Sequence, residues 1–223
     1  MFDFEALRKD LHEDEKLGAL VICEETETDI LTDDFDCRRY INYHLVPPTQ
    51  EWLQSLFYFP QDCKQDKTAF LNRCLDILMA ADPNMLMNLR HVFFIRTAAD
   101  IREICSLPDI NDELFPDILI DEDDCESPTL SCVGCFWHYE SALVINMRAI
   151  EHTAKDIDPN DAGIVPEGVY TTLPHELRHL GLENPYLPED EYPDYLRTEE
   201  NIEEWGRALY EQVIYAKRKD RFA

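Results

Sequence analysis

The sequence predicts an α+β fold, and three observations carry the prediction. Between residues 66 and 81 the apolar side chains Phe70, Leu71, Cys74, Leu75, Leu78 and Met79 form the stripe of an amphipathic helix. Two compact apolar runs, Val92-Phe93-Phe94-Ile95 and Ala142-Leu143-Val144-Ile145-Asn146-Met147, read as buried strands. Toward the C-terminus helical signals return, once around residue 175 and again from Arg197 or Thr198 to about Lys217.

The first 45 residues mix acidic patches with short apolar runs, and Pro47-Pro48 breaks the chain after them. Asp82-Pro83-Asn84 ends the first amphipathic helix, and Ala98 to Cys105 reads as a short helix. Residues 113–128 are loop-like, with Pro116, Pro128 and the acidic run Asp121-Glu122-Asp123-Asp124. A turn-rich connection, Asp158 to Gly163, leads to the helix around residue 175. Pro174 is expected in its first turn, where a missing N–H costs nothing, with Thr171 or Thr172 as cap and Gly181 as its end. Pro185, Pro188 and Pro193 then enforce a non-helical excursion. Residues 1–90 are expected to form an acidic, largely helical portion and 91–223 the core, or the whole to be one continuous domain.

Composition excludes several classes. With 45 % apolar residues the chain has material for a core, so its charge does not imply disorder. The charge itself is −27, and a surface of that sign repels nucleic acid and anionic membrane. No run approaches the roughly 20 apolar residues of a membrane span. The acidic start Met1-Phe2-Asp3-Phe4-Glu5 is unlike a secretory leader, and eight scattered cysteines do not resemble a disulfide framework. A cytoplasmic protein with free thiols is the expectation.

The segment His175-Glu176-Leu177-Arg178-His179 carries chemistry. On a helix, residues four apart differ by roughly 40° around the axis, so the two imidazoles share a face at a spacing that fits one zinc ion. Glu176 lies beside them, placed as general base toward an activated water. This is the HExxH arrangement of the zincins. A third protein ligand is needed, and no histidine follows His179. The metzincin pattern is excluded, because Leu182 and Pro185 stand where it needs glycine and a third ligand. A downstream carboxylate remains.

The run Glu199-Glu200-Asn201-Ile202-Glu203-Glu204-Trp205-Gly206 offers one. It resembles the ligand helix of the gluzincins, the thermolysin-like branch of the zincins, over about residues 142–210. The resemblance implies Glu199, 20 residues after His179, as third ligand, with Glu200 as the fallback. It implies Glu203 as the carboxylate that orients a zinc-bound histidine, and Trp205-Gly206 as the aromatic-glycine pair that follows. The fold it implies is a minimal zincin: a small twisted sheet, an active-site helix and a C-terminal ligand helix. One zinc ion per chain goes with it. The family's oxyanion-stabilising histidine comes from a later domain, of which no counterpart is expected in these 223 residues. Tyr186, Tyr192 and Tyr195 are the candidates to replace it, each also readable as a packing residue.

A second cluster, Cys125, Cys132, Cys135 and His138, has the residue types of a structural zinc site but irregular spacing. Reduced, metal-free thiols are the expectation, with His138 on a strand. The function expected is zinc-dependent hydrolysis of a peptide or protein substrate, laid extended along the strand Leu143–Met147 by strand addition. Two alternatives stand beside it: a zincin fold kept as a non-catalytic binding module, and an acidic interaction protein that mimics a nucleic acid toward a basic partner.

Overall fold

Strand alternation divides the core of this protein into two layers. In the computed structural model, residues 21–24, 42–45, 49–59, 67–86, 89–108, 110, 115–124, 127–183 and 192–220 are described. Pro47-Pro48, Pro185, Pro188, Cys125 and Tyr186 lie outside them. A mixed four-stranded sheet is built from β3 (Phe57–Tyr58), β4 (His91–Ile95), β5 (Gly134–Trp137) and β6 (Ala142–Asn146). Its order is β3-β4-β6-β5. β3 and β6 run parallel to β4, and β5 runs antiparallel to β6. The two apolar runs of the sequence thus lie side by side in register, Val92 opposite Leu143 and Phe94 opposite Ile145. Strands buried on both faces read as continuous apolar runs, which is why they were legible.

Because successive side chains point to opposite faces, Val92, Phe94, Leu143 and Ile145 enter one core, and Phe93, Ile95, Ala142 and Val144 the other. The second core is closed by Ile104 of α4 (Ala98–Cys105), by Phe115 and Leu119, and by Cys135 and Trp137 of β5. The first and larger core is covered by α1 (Gln50–Ser55), α2 (Lys67–Ala80), α3 (Pro83–Leu86), α5 (Met147–Ile157), α6 (Ile164–Leu182) and α7 (Glu199–Asp220). These with α4 make seven α-helices among the described residues. Residues 49–89 contribute Leu53, Leu75, Leu78 and Leu89 to the same core as α6 and α7. A separate antiparallel pair, β1 (Val21–Glu24) with β2 (Asn42–Leu45), precedes them.

α6 positions the candidate site and departs from the sequence reading at both ends. It begins at Ile164, so Pro174 sits ten residues inside it. The proline that occupies the first turn is Pro166, where the orphan N–H groups lie. Thr171 and Thr172 do not cap; their hydroxyls donate back to the carbonyls of Glu167 and Gly168. An interior proline costs about 3 kcal/mol, and the buried stripe Val169, Leu173, Leu177 and Leu180 offsets it. Gly181 does not end the helix either. A Cβ there would lie 2.7 Å from the Cα of Met85, so this glycine serves the close approach of α3.

Two further expectations are corrected here. β6 is paired on both sides, by β4 and by β5, so no substrate can add along Leu143–Met147. The edge strands of this sheet are β3 and β5. His138 is not on a strand; it opens a 3-10 turn, 138–140, that reaches Ser141 in the left-handed region at φ 50°.

Candidate metal centre

Two helices bring three side chains to one point. Nε2 of His175 and Nε2 of His179, one turn apart on α6, are 3.2 Å from each other. Glu199, the first residue of α7, places Oε2 3.5 Å from His175 Nε2 and Oε1 3.3 Å from His179 Nε2. Zinc–ligand bonds of about 2.0–2.1 Å at tetrahedral angles put ligand atoms about 3.3 Å apart. The separations lie near that figure, with each carboxylate oxygen of Glu199 facing one imidazole, and two imidazoles with one carboxylate are the donor types of a three-ligand site with an open position. Among the described residues, this is the one group of three His, Cys, Asp or Glu ligand atoms lying within 4.8 Å of one another. Glu200 is not part of it.

Local structure explains each placement. The N-terminus of α7 is pinned where Asn201 Nδ2 donates to Thr198 Oγ1 at 2.6 Å and to the carbonyl of Tyr195 at 2.9 Å. Glu199 then stands where the helix dipole favours an anion. α7 crosses α6 at Gly206, whose missing Cβ would come 3.1 Å from the backbone N of His175. Phe136 of β5 lies flat against the His179 ring, 5.3 Å between centroids and 14° between planes.

Glu176 sits beside these three groups in the contact between α6 and β5 and is only 6 % exposed. Burial, and then the nearby Glu199 carboxylate, push its carboxyl up to about 8, against the pull of a hydrogen bond from the Phe136 backbone N–H. β5 comes this close because residue 134 is glycine. A Cβ there would meet Thr172 Cγ2 at 2.6 Å and Glu176 Cγ at 3.2 Å. Burial and the neighbouring His179 lower the pKa of His175, against the carboxylates of Glu199 and Glu203. Its imidazole is thereby kept neutral, the form that binds metal.

Glu203 acts on His175 through space, but no hydrogen bond joins the two. Tyr192 is committed elsewhere: its phenol donates to Asp82 Oδ2 at 2.5 Å and accepts from Asn84 Nδ2 at 3.0 Å, and its pKa is pushed up to about 12, chiefly by burial. It packs rather than serving an oxyanion. Tyr195 is 64 % exposed, on the 3-10 turn just before α7. The second cluster does not assemble among the described residues. The thiol of Cys132 donates to the Gly134 carbonyl at 2.9 Å, and Cys135 is buried in the second core. Alternation along β5 turns Cys135 away from Phe136, and both thiols are free, with burial raising their pKa values. Gly134 and Phe136 escaped the sequence reading. A lone glycine in a strand does signal close backbone approach, but its partner is invisible without the fold.

No family model, curated protein or solved structure matches the chain. No helix among the described residues is long and apolar enough to cross a membrane.

Proposed function

We propose that the chain is a zinc-dependent metallopeptidase with a zincin-like core, in which His175, His179 and Glu199 hold the metal and Glu176 is the general base. The observation that carries the proposal is the convergence of the three groups, with nearest contacts of 3.2, 3.3 and 3.5 Å between them. Zinc at such a site supplies a Lewis acid and brings the pKa of a water down to about 7. The chain supplies the rest. Glu176, with its carboxyl poised near neutrality, takes the water's proton and passes it to the leaving amine. The Phe136 N–H steadies that carboxylate, and the Phe136 ring holds the plane of His179. Of the two described candidates for the oxyanion, Tyr192 is bonded to Asp82, and the Tyr195 hydroxyl takes that role here. An extended peptide would add to the outer edge of β5, the edge that passes Glu176.

The formal charge of −27 favours a second reading, an acidic module for a basic partner. It predicts partner binding that survives removal of zinc and substitution of Glu176. The deciding experiment measures zinc per chain and peptide cleavage together. Glu176→Gln should keep one zinc per chain while hydrolysis falls roughly 10²–10⁴-fold. His179→Ala should lose the metal, because two ligands hold zinc poorly. Full zinc occupancy in His179→Ala, or full cleavage by Glu176→Gln, would overturn the proposal.

A further inference from the structure

Four parts of the fold meet on the guanidinium of Arg178, a residue between Glu176 and His179 that zinc chemistry leaves without a task. Arg178 is 6 % exposed. The ring of Trp205, on α7, lies over it at 5.0 Å, and that of Tyr192 at 5.8 Å. Its Nη1 is 3.1 Å from Met85 Sδ on α3, and its Nε has no partner. Among the described residues no carboxylate forms an ion pair with it. Asp82 faces it but is bonded to the Tyr192 phenol. Burying a charge without an ion pair is costly, and a leucine or methionine would fill the same space more cheaply. What an arginine adds is a rigid plane that stacks on an indole in one orientation.

We infer that Arg178 is a positioning residue for the metal centre: its stack on Trp205 fixes how α7 lies across α6, and so where Glu199 meets the two histidines. The inference rests on the zinc reading. Leverage makes the contact consequential. α7 touches the backbone of α6 at Gly206, a contact without a side chain, about which a helix can tilt. Glu199 is seven residues away, about 10.5 Å along the axis. A tilt of about 10° at Gly206 displaces it by about 2 Å, a whole metal–ligand bond length. Trp205 is the next residue to Gly206, and its contact with Arg178 is the stop beside that pivot.

The test uses the full chain, stripped of metal, with zinc affinity read by competition against a chromogenic chelator and cobalt(II) absorption as a second readout. Arg178→Met and Trp205→Leu should each weaken zinc roughly 10- to 100-fold, the range for residues that orient ligands. Far-UV circular dichroism should stay that of the folded wild type. Trp205→Phe, which keeps a ring face, should lose less than Trp205→Leu. The double variant should be little worse than the worse single one, since both remove the same contact. Val213→Ala opens a cavity on the same helix, far from Glu199, and should lower the melting temperature with zinc affinity unchanged. Wild-type affinity in Arg178→Met and Trp205→Leu, or an equal loss in Val213→Ala, would overturn the inference. If Arg178→Met does not fold, Trp205→Leu decides alone. A wild-type chain that binds no zinc defeats the zinc reading itself, an outcome distinct from unaltered variants of a zinc-binding chain.

Discussion

Adding one methyl group at residue 134 tests whether the approach of β5 to α6 is as close as the geometry requires. At an ordinary strand position, Gly→Ala stabilises a protein by about 0.4–1 kcal/mol, because the unfolded chain loses freedom. At Gly134 the new Cβ would lie 2.6 Å from Thr172 Cγ2, a distance that real Cβ atoms essentially never show. Thr172 cannot swing away freely, since its hydroxyl is bonded to the Gly168 carbonyl at 2.8 Å and its side chain is buried. Overpacking of this kind costs about 1–3 kcal/mol, so Gly134→Ala should destabilise. Thr172→Ser removes the clashing methyl and by itself loses roughly 0.8 kcal/mol of burial. Combined, the two should be at least about 1 kcal/mol more stable than the sum of the singles predicts. Urea denaturation of the four proteins of the cycle gives each number. A neutral or stabilising Gly134→Ala, or simple additivity, would refute the close contact and with it the placement of Glu176 against β5.

Two further outcomes follow from the titrating groups and the tyrosines. In metal-free protein the raised carboxyl of Glu176 leaves stability intact below about pH 4.5 and drains it as pH rises through about 8. Glu176→Gln should therefore be more stable than wild type at pH 7, by up to about 3 kcal/mol, and indistinguishable near pH 4.5; a gap that does not depend on pH refutes the burial of charge as its cause. Tyr192→Phe should lower stability at pH 7 and leave kcat nearly unchanged, whereas Tyr195→Phe should lower kcat at unaltered zinc content. Equal kcat in wild type and Tyr195→Phe would remove Tyr195 from the oxyanion role.

Legibility in the sequence followed the range of the interactions. α4 matches the expected Ala98–Cys105 because its start is written locally: Thr97 and Asp100 form a reciprocal capping box. α2 and the strands β4 and β6 were legible from apolar pattern alone. The first half of α6 was not. Val165, Gly168, Val169, Thr171 and Thr172 are weak helix formers, and what stabilises them is the packing of Val169 and Leu173 in a core that sequence cannot display. Sheet order was equally hidden, because the central place of β6 depends on β5 and on a two-residue β3 far away in the chain. The site fared better. The spacing of His175 and His179 follows from helix geometry, and Glu199 came from resemblance to a ligand helix. Arg178, Gly134 and Phe136 act only through long-range contacts.

The turn of α6 that carries Thr172 to Glu176 is approached by main chain on two sides, by β5 at Gly134 and by α7 at Gly206. At Gly134 the main chain of β5 lies against the side chains of Thr172 and Glu176, and at Gly206 that of α7 lies against the backbone of Pro174 and His175. The same turn holds Pro174, which forfeits a helical hydrogen bond, and Glu176, a carboxyl with burial working against its charge. A sequence shaped for stability alone would put alanine at 174 and a leucine at 176. Local rules broken together at one turn, and offset by the core stripe of the same helix, are the pattern expected where function is placed on a fold. The zinc reading gives that cost a purpose: the close approach of β5 at Gly134 and of α7 at Gly206, with the Arg178–Trp205 stack beside it, brings ligand and base together at one turn. A purely acidic interaction surface has no need of it, since its carboxylates can act from exposed and flexible positions.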